Sequence, residues 1–372
     1  MEEIKKYNWE TMVNNKDLTS TVFKQVIKNE ETGFGDSCNI IPPKNQHHWD
    51  NAFNHLKPHH NHCNHLVDKI HVITMVSNPV RYDTRYNLYR RFVQHMHESG
   101  VVHLWTVEIQ QGNRAFQVTH KNNPYHIQLR TEDELWIKEN AINLAINRLT
   151  PLHRDWQYAA WIDCDIEFQR PDWLIETLEE LQVAHWVQMF QTAVDLGPDM
   201  EVIHTHKGFI YSYLMGKPFI NNYYTSYHPG FCWAATRESL TGVGLLIDKA
   251  ILGSADRHMA MNLIGMGNIS YNQDVHPDYK DMVDAWEKRA DQYIKRDIGY
   301  VKGNISHFWH GKKRDRQYND RWKILVEHQY SPYRHVYPDW QGVYQLDLDA
   351  LNLRDAIKKY FRSRNENSID LV

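Results

Sequence analysis

The sequence predicts an α/β protein with a mainly parallel sheet flanked by helices. Short apolar runs alternate with stretches of helical spacing from Ile70 to Leu181. Asn78-Pro79, Gly100 and Pro171-Asp172 punctuate the joins. The acidic tripeptide Asp163-Cys164-Asp165 stands directly behind one apolar run. That is the carboxyl end of a strand, where sheets of this class bind ligands.

Taken in order, residues 1–69 are polar and weakly periodic and read as an N-terminal extension. Ile70 to Ser77 reads as the first strand. A helix follows through Tyr86 and Arg91 to His97, closing near Gly100. Val101–Val107 and His126–Leu129 read as the next strands. From Glu134 to Leu149 the apolar residues Ile142, Ala145, Ile146 and Leu149 recur at helical spacing. Tyr158 to Ile162 is a buried-type strand, and Pro171-Asp172 opens a helix carrying Leu174, Leu178 and Leu181. The second half is less regular. Tyr300–Ile305 reads as a strand, a helix is expected over His258–Ile264, and the charged tail from Arg354 reads as a helix fraying near Asn365. The expected division is a central domain over 70–325, with a C-terminal extension over 326–372 packed against it.

Composition narrows the function. A length of 372 residues, 42 % hydrophobic and 24 % charged, is that of an ordinary globular protein. A net charge of −4 argues against nucleic-acid binding by bulk electrostatics. No stretch supplies the roughly 18 consecutive apolar residues of a membrane span, and MEEIKKYNWE is no signal peptide. With four cysteines in no paired spacing, read as reduced thiols, this predicts a cytoplasmic protein without a membrane partner. The spacing of His59, His60, His62, Cys63 and His65 fits no standard zinc finger, so a polar loop is the simpler reading.

Side chains alternate along a strand, so Asp163 and Asp165 share one face and Cys164 takes the other. Adjacent carboxylates repel unless a cation or hydrogen-bond donors lie before them. A hard divalent cation such as Mn2+ or Mg2+, shared with a diphosphate, resolves the conflict. An acidic pair at a surface strand end would leave the same residues.

Further motifs follow in order: His228-Pro229-Gly230-Phe231-Cys232-Trp233-Ala234, Gly253-Ser254-Ala255-Asp256 at a helix start, and Ser306-His307-Phe308-Trp309-His310-Gly311. Together with the first strand and the Asp-x-Asp, this order resembles glycosyltransferases of the GT-A fold over Ile70 to Trp322. Within that family the chain looks most similar to phage and large-virus transferases. The resemblance implies a GT-A-like, Rossmann-like sheet. It also implies metal-dependent transfer of a sugar from a nucleotide-sugar donor, a UDP-sugar first, to a hydroxyl with inversion.

Carried onto this chain, the resemblance makes Asp165 and Asp163 metal or ribose contacts and His307 a late metal ligand. Residues three apart in a strand face opposite ways. Only one of His307 and His310 is therefore expected at the metal, which leaves His310 for the substrate. Asp256 would be the general base, although Asp is also a favoured helix cap. Ser77, Asn78 and Arg81 would meet the base and ribose, and Lys138 and Asn140 the donor. Gly230 would allow close approach of a sugar, with Trp233 stacked beneath it. Lys313 and Arg316, within the basic run 312–316, would clamp the diphosphate or a polyanionic acceptor. The acceptor is a glycan or protein hydroxyl, or a hydroxymethylated pyrimidine in DNA reached by base flipping. The rival readings are a metal-dependent phosphodiester hydrolase or nucleotidyltransferase, and a non-catalytic sugar-binding protein. The oligomeric state has no signature in the sequence.

Overall fold

A computed structural model describes residues 63–216 and 227–369. His59, His60 and His62 lie outside the described residues. In chain order the strands are β1 (Ile70–Ser77), β2 (His103–Gln111), β3 (His126–Thr131), β4 (Tyr158–Ile162), β5 (Ile166–Phe168), β6 (Trp186–Gln188) and β7 (Thr192–Leu196). They continue as β8 (Val202–Gly208), β9 (Tyr227–His228), β10 (Cys232–Thr236), β11 (Ile298–Tyr300), β12 (Asn304–His307), β13 (Val336–Pro338) and β14 (Tyr344–Leu346). The helices that matter for the site are α1 (Asp83–Glu98), α2 (Lys138–Leu152), α3 (Trp173–Glu180), α4 (Ala255–Leu263), α5 (Pro277–Tyr293) and α6 (Leu351–Ser363).

The large sheet runs β11-β6-β10-β4-β1-β2-β3. Its pairings are parallel except around β10, which is antiparallel to both β4 and β6. This is the mixed α/β class, with a mostly parallel sheet flanked by helices, that the sequence predicts. A second sheet runs β5-β12-β7-β8-β9, and β13 and β14 form a ribbon. Among the described residues, no helix is long and apolar enough to cross a membrane.

Alternation along the central strands builds a core on each face. Ile73, Ala159, Trp161 and Trp233 face one side with Ile142 and Ala145 of α2 and Trp286 of α5. Val72, Ala160, Ile162 and Cys232 face the other, with Phe92 and Met96 of α1 and Leu174 and Leu178 of α3. Trp186 packs edge-on against Trp161, Trp286 and Trp233 at centroid distances of 5.1, 5.6 and 6.5 Å.

Three local expectations shift. The second strand extends through Gln111 because it pairs with β3 as far as Thr131, and the buried Glu108 carboxylate within it accepts the N–H groups of Gln117, Val118 and Thr119. Helix α2 starts at Lys138 rather than Glu134. Asp133 and Glu134 instead pair with Arg354 and Arg362 of α6 and so tie the C-terminal helix to the sheet. Tyr300–Ile305 is not one strand: the chain leaves the large sheet after β11 and enters the second sheet as β12.

At the amino ends of β1 and β2, His71 and His103 are register partners, with rings stacked 4.4 Å apart, and His153 lies against both. Trp105 Nε1–H donates to His71 Nδ1 (2.9 Å), which places the neutral His71 proton on Nε2. His103 Nδ1 meets the Tyr125 hydroxyl at 2.9 Å. Two of the cluster's nitrogens are thus engaged by neighbouring side chains. Burial, reinforced by His103 and His153, pushes His71 down from 6.5 to about 3. Burial with Arg257 and Arg321 does the same to His258.

Between pH 6.5 and 3 the unfolded chain therefore binds more protons than the folded one, so stability falls as pH falls. The urea midpoint is expected to drop on acidification from pH 7.5 to 5. His71→Leu should lower the starting midpoint but flatten the slope. An equally steep slope in that variant would remove His71 from the explanation.

Candidate active site

The Asp-x-Asp lies not on a strand but in the turn that carries the chain from β4 in the large sheet to β5 in the second. Strand pairing brings the late histidine to it. His307, at the end of β12, is the register partner of Ile166 on β5, and the Phe308 N–H donates to Asp165 O at 2.9 Å. Beyond His307 the chain turns at Gly311, whose φ is +86°. A Cβ there would stand 2.9 Å from the backbone of Asn365 and Glu366.

The irregular segment after β12 brings both histidines to one point. Asp165 Oδ2 lies 3.0 Å from His310 Nε2 and 3.9 Å from His307 Nε2, and the two ring nitrogens are 3.2 Å apart. The expectation that His310 faces away fails because β12 ends at His307. Burial, and then the Arg316 guanidinium, push His310 down to about 4, and Arg316 Nη2 donates to its Nε2 at 3.0 Å. Burial opposes ionisation of Asp165, but the two histidines and Arg85 hold its carboxyl well below the usual range. Asp165 Oδ1 is buried and accepts no hydrogen bond. One carboxylate and two imidazoles converge at Asp165 Oδ2, a donor set that fits a divalent cation.

The wall beside them is acidic and basic by turns. Lys138 Nζ, at the start of α2, donates to Asp163 Oδ1 at 3.0 Å. Burial raises the Asp163 carboxyl and Lys138 counters it. Glu139 behind them is raised to about 7 by burial, with Lys138 opposing. Asp256 is the second residue of α4 and follows Gly253 and Ser254, both left-handed at φ +89° and +80°. Arg321 holds that turn through Ser254 Oγ (2.7 Å). A Cβ on Gly230 would stand 2.6 Å from Asp256 Oδ2, so only glycine leaves this carboxylate its place.

Asp163, Asp165, Asp256, Lys138, His307, His310 and Arg316 line one cavity of about 140 Å3, together with His228, Trp136 and Trp322. A smaller cavity of about 40 Å3 adjoins it through Arg85, Lys138 and Trp136, and Ser77 and Asn78 line that one. The remaining sequence candidates lie elsewhere. Trp233 is a core residue, 4 % exposed, and its indole N–H donates to Pro229 O, so it is not placed to stack beneath a sugar. Asn140 holds the β13–β14 ribbon through Gly342 O (3.1 Å) and lines neither cavity. Arg81 is exposed in the turn after β1. Lys313 is drawn onto Asp195 rather than into the cavity.

Several residues at the site were given no site role by the sequence reading. Arg85, on α1, makes a two-pronged pair with Glu366, 281 positions away, and Arg364 binds the same carboxylate at 2.7 Å. No local pattern announces that contact. His228 stacks on Phe231 (3.8 Å), and its Nδ1 accepts the Gly230 N–H, which leaves an Nε2–H donor in the cavity. An aspartate inside the apolar run of β7, Asp195, was a signal that the sequence did offer.

No protein-family model matches the chain, and no curated protein matches it. Among solved structures it is similar to a protein assigned as a nucleotide-diphospho-sugar transferase from Desulfovibrio desulfuricans G20. That match has 12 % identity, covers 78 % of this chain and 98 % of that one, and has a TM-score of 0.29. It is also similar to a mutant Drosophila β-1,4-galactosyltransferase 7 solved with manganese, UDP-Gal and xylobiose. There the identity is 12 %, the coverage 77 % and 98 %, and the TM-score 0.38. Superpositions this loose supply no residue correspondence, and the roles argued below rest on this chain's own geometry.

Arg85→Ala would leave the 2 %-exposed Glu366 with Arg364 alone. A loss on the order of 3 kcal/mol in urea unfolding is expected, with partial recovery in Arg85→Ala/Glu366→Gln. An unchanged midpoint would show that Arg364 suffices.

Proposed function

We propose that this chain is a metal-dependent glycosyltransferase that moves a sugar from a nucleoside-diphosphate donor to an acceptor hydroxyl with inversion. The observation that carries the reading is the convergence of Asp165, His307 and His310 on one wall of a cavity that Asp256 also lines. Asp165, His307 and His310 would hold the cation, and mixed oxygen and nitrogen donors suit Mn2+ better than Mg2+. When bound, the ion supplies Lewis-acid stabilisation of the departing diphosphate.

The chain's own groups do the rest. Arg316 and Lys138 offer charge-assisted hydrogen bonds to phosphate oxygens. Ser77 and Asn78 border the smaller cavity, which takes the nucleoside. Asp163, tied to Lys138, keeps that ammonium aimed along the wall. Asp256 accepts the acceptor's hydroxyl proton as that oxygen attacks the anomeric carbon. A glycan or protein hydroxyl is the proposed acceptor. A two-metal phosphodiesterase would need Asp163 free for a second ion, and Lys138 already holds it.

Incubation with Mn2+ and a panel of nucleotide sugars, with glycan, peptide and hydroxymethylated-DNA acceptors, should release nucleoside diphosphate. Asp165→Ala should abolish the release. Phosphodiester cleavage indifferent to nucleotide sugars would overturn the proposal. Asp256→Asn is expected to lower kcat by about 10²- to 10⁴-fold with little change in donor KM. Full activity in that variant would remove the base. Gly230→Ala, which displaces Asp256, should cost on the order of 10²-fold in kcat while Mn2+ binding persists.

A further inference from the structure

Asp195 is a buried carboxylate that the chemistry above leaves unused. It is 4 % exposed on β7, where it is the register partner of His307 on β12. Its Oδ1 accepts from His307 Nδ1 at 2.7 Å. Its Oδ2 takes His206 Nε2 at 2.7 Å and the Lys313 ammonium. A carboxylate is an acceptor only, so the His307 proton belongs on Nδ1 and the lone pair on Nε2. Nε2 is the nitrogen that faces His310 and Asp165. Asp195 thus sets both the ring plane and the nitrogen presented to the cavity. His310 has no such support: its Nδ1 is buried without a hydrogen bond, and the Glu366 carboxylate stands 4.0 Å away.

We propose that Asp195 is a positioning residue that presents the lone pair of His307 Nε2 to a divalent cation shared with Asp165 and His310. The proposal rests on the metal reading above. A carboxylate behind a ligating imidazole fixes its tautomer and raises its basicity, and removing one typically weakens metal binding about 10- to 100-fold. Lys313 and His206 act on the other oxygen and hold the carboxylate in place.

The test measures free Mn2+ by its paramagnetic resonance signal in titrations of the full chain. Asp195→Asn is expected to raise the Kd for Mn2+ by about 10- to 100-fold. His206→Gln removes one of the two partners of the carboxylate's other oxygen without touching the His307 bond and should leave the Kd near that of wild type. Equal weakening in both variants, or none in Asp195→Asn, overturns the positioning role. Absence of Mn2+ binding by the wild-type chain would instead overturn the metal reading itself, and this role with it. Should Asp195→Asn fail to fold, histidine-nitrogen spectra of the metal-free wild-type chain decide. They are expected to show His307 as the Nδ1–H tautomer, and an Nε2–H tautomer would overturn the proposal.

Discussion

Pairing between β5 and β12 is the constraint on which the rest of the site depends. It sets His307 beside the turn that carries Asp165, and the Phe308 N–H to Asp165 O bond closes the join. Both strands belong to the second sheet, while β4, which delivers the aspartates, belongs to the first. The site is therefore a seam between two sheets. Its ligand-bearing side chains are aimed by backbone ladders, which are stiffer supports than free loops.

The seam concentrates charge where water is scarce. Four carboxylates and three imidazoles share the cavity with Lys138 and with arginines that include Arg85 and Arg316. Three carboxylates at or behind the site each have a counter-charge: Asp163 has Lys138, Asp195 has Lys313, and Glu366 has Arg85 and Arg364. Asp165 Oδ1 breaks that rule by having no donor at all. Lying beside the two imidazoles, that unpartnered oxygen suits an external positive charge. The backbone agrees with this picture. Ser254 is left-handed just before Asp256, and such strain persists where surrounding contacts over-determine it.

Much of the architecture was legible in periodicity. β1 and β4 match the expected strands residue for residue, because strands covered on both faces read as continuous apolar runs. The far end of β2 was hidden by Glu108 and Gln110, whose burial depends on hydrogen-bond partners and not on hydrophobicity. Tyr300–Ile305 read as one strand because its apolar pattern continues across the step from one sheet to the other. Trp233 read as a sugar platform, yet it belongs to the tryptophan core. An aromatic side chain looks the same in sequence whichever surface it covers.

The sequence by itself determined the α/β class and the acidic pair behind a strand's carboxyl end, and it named Asp256 and His307 as candidates. These follow from local pattern and residue chemistry, which need no knowledge of distant parts of the chain. Tertiary structure alone decided that His310 joins His307, that Asp195 stands behind that ring, and that Glu366 reaches Arg85 from the far end of the chain. Convergence of this kind depends on where one strand ends and which sheet the next one enters. Those are properties of packing, and side-chain spacing does not encode them.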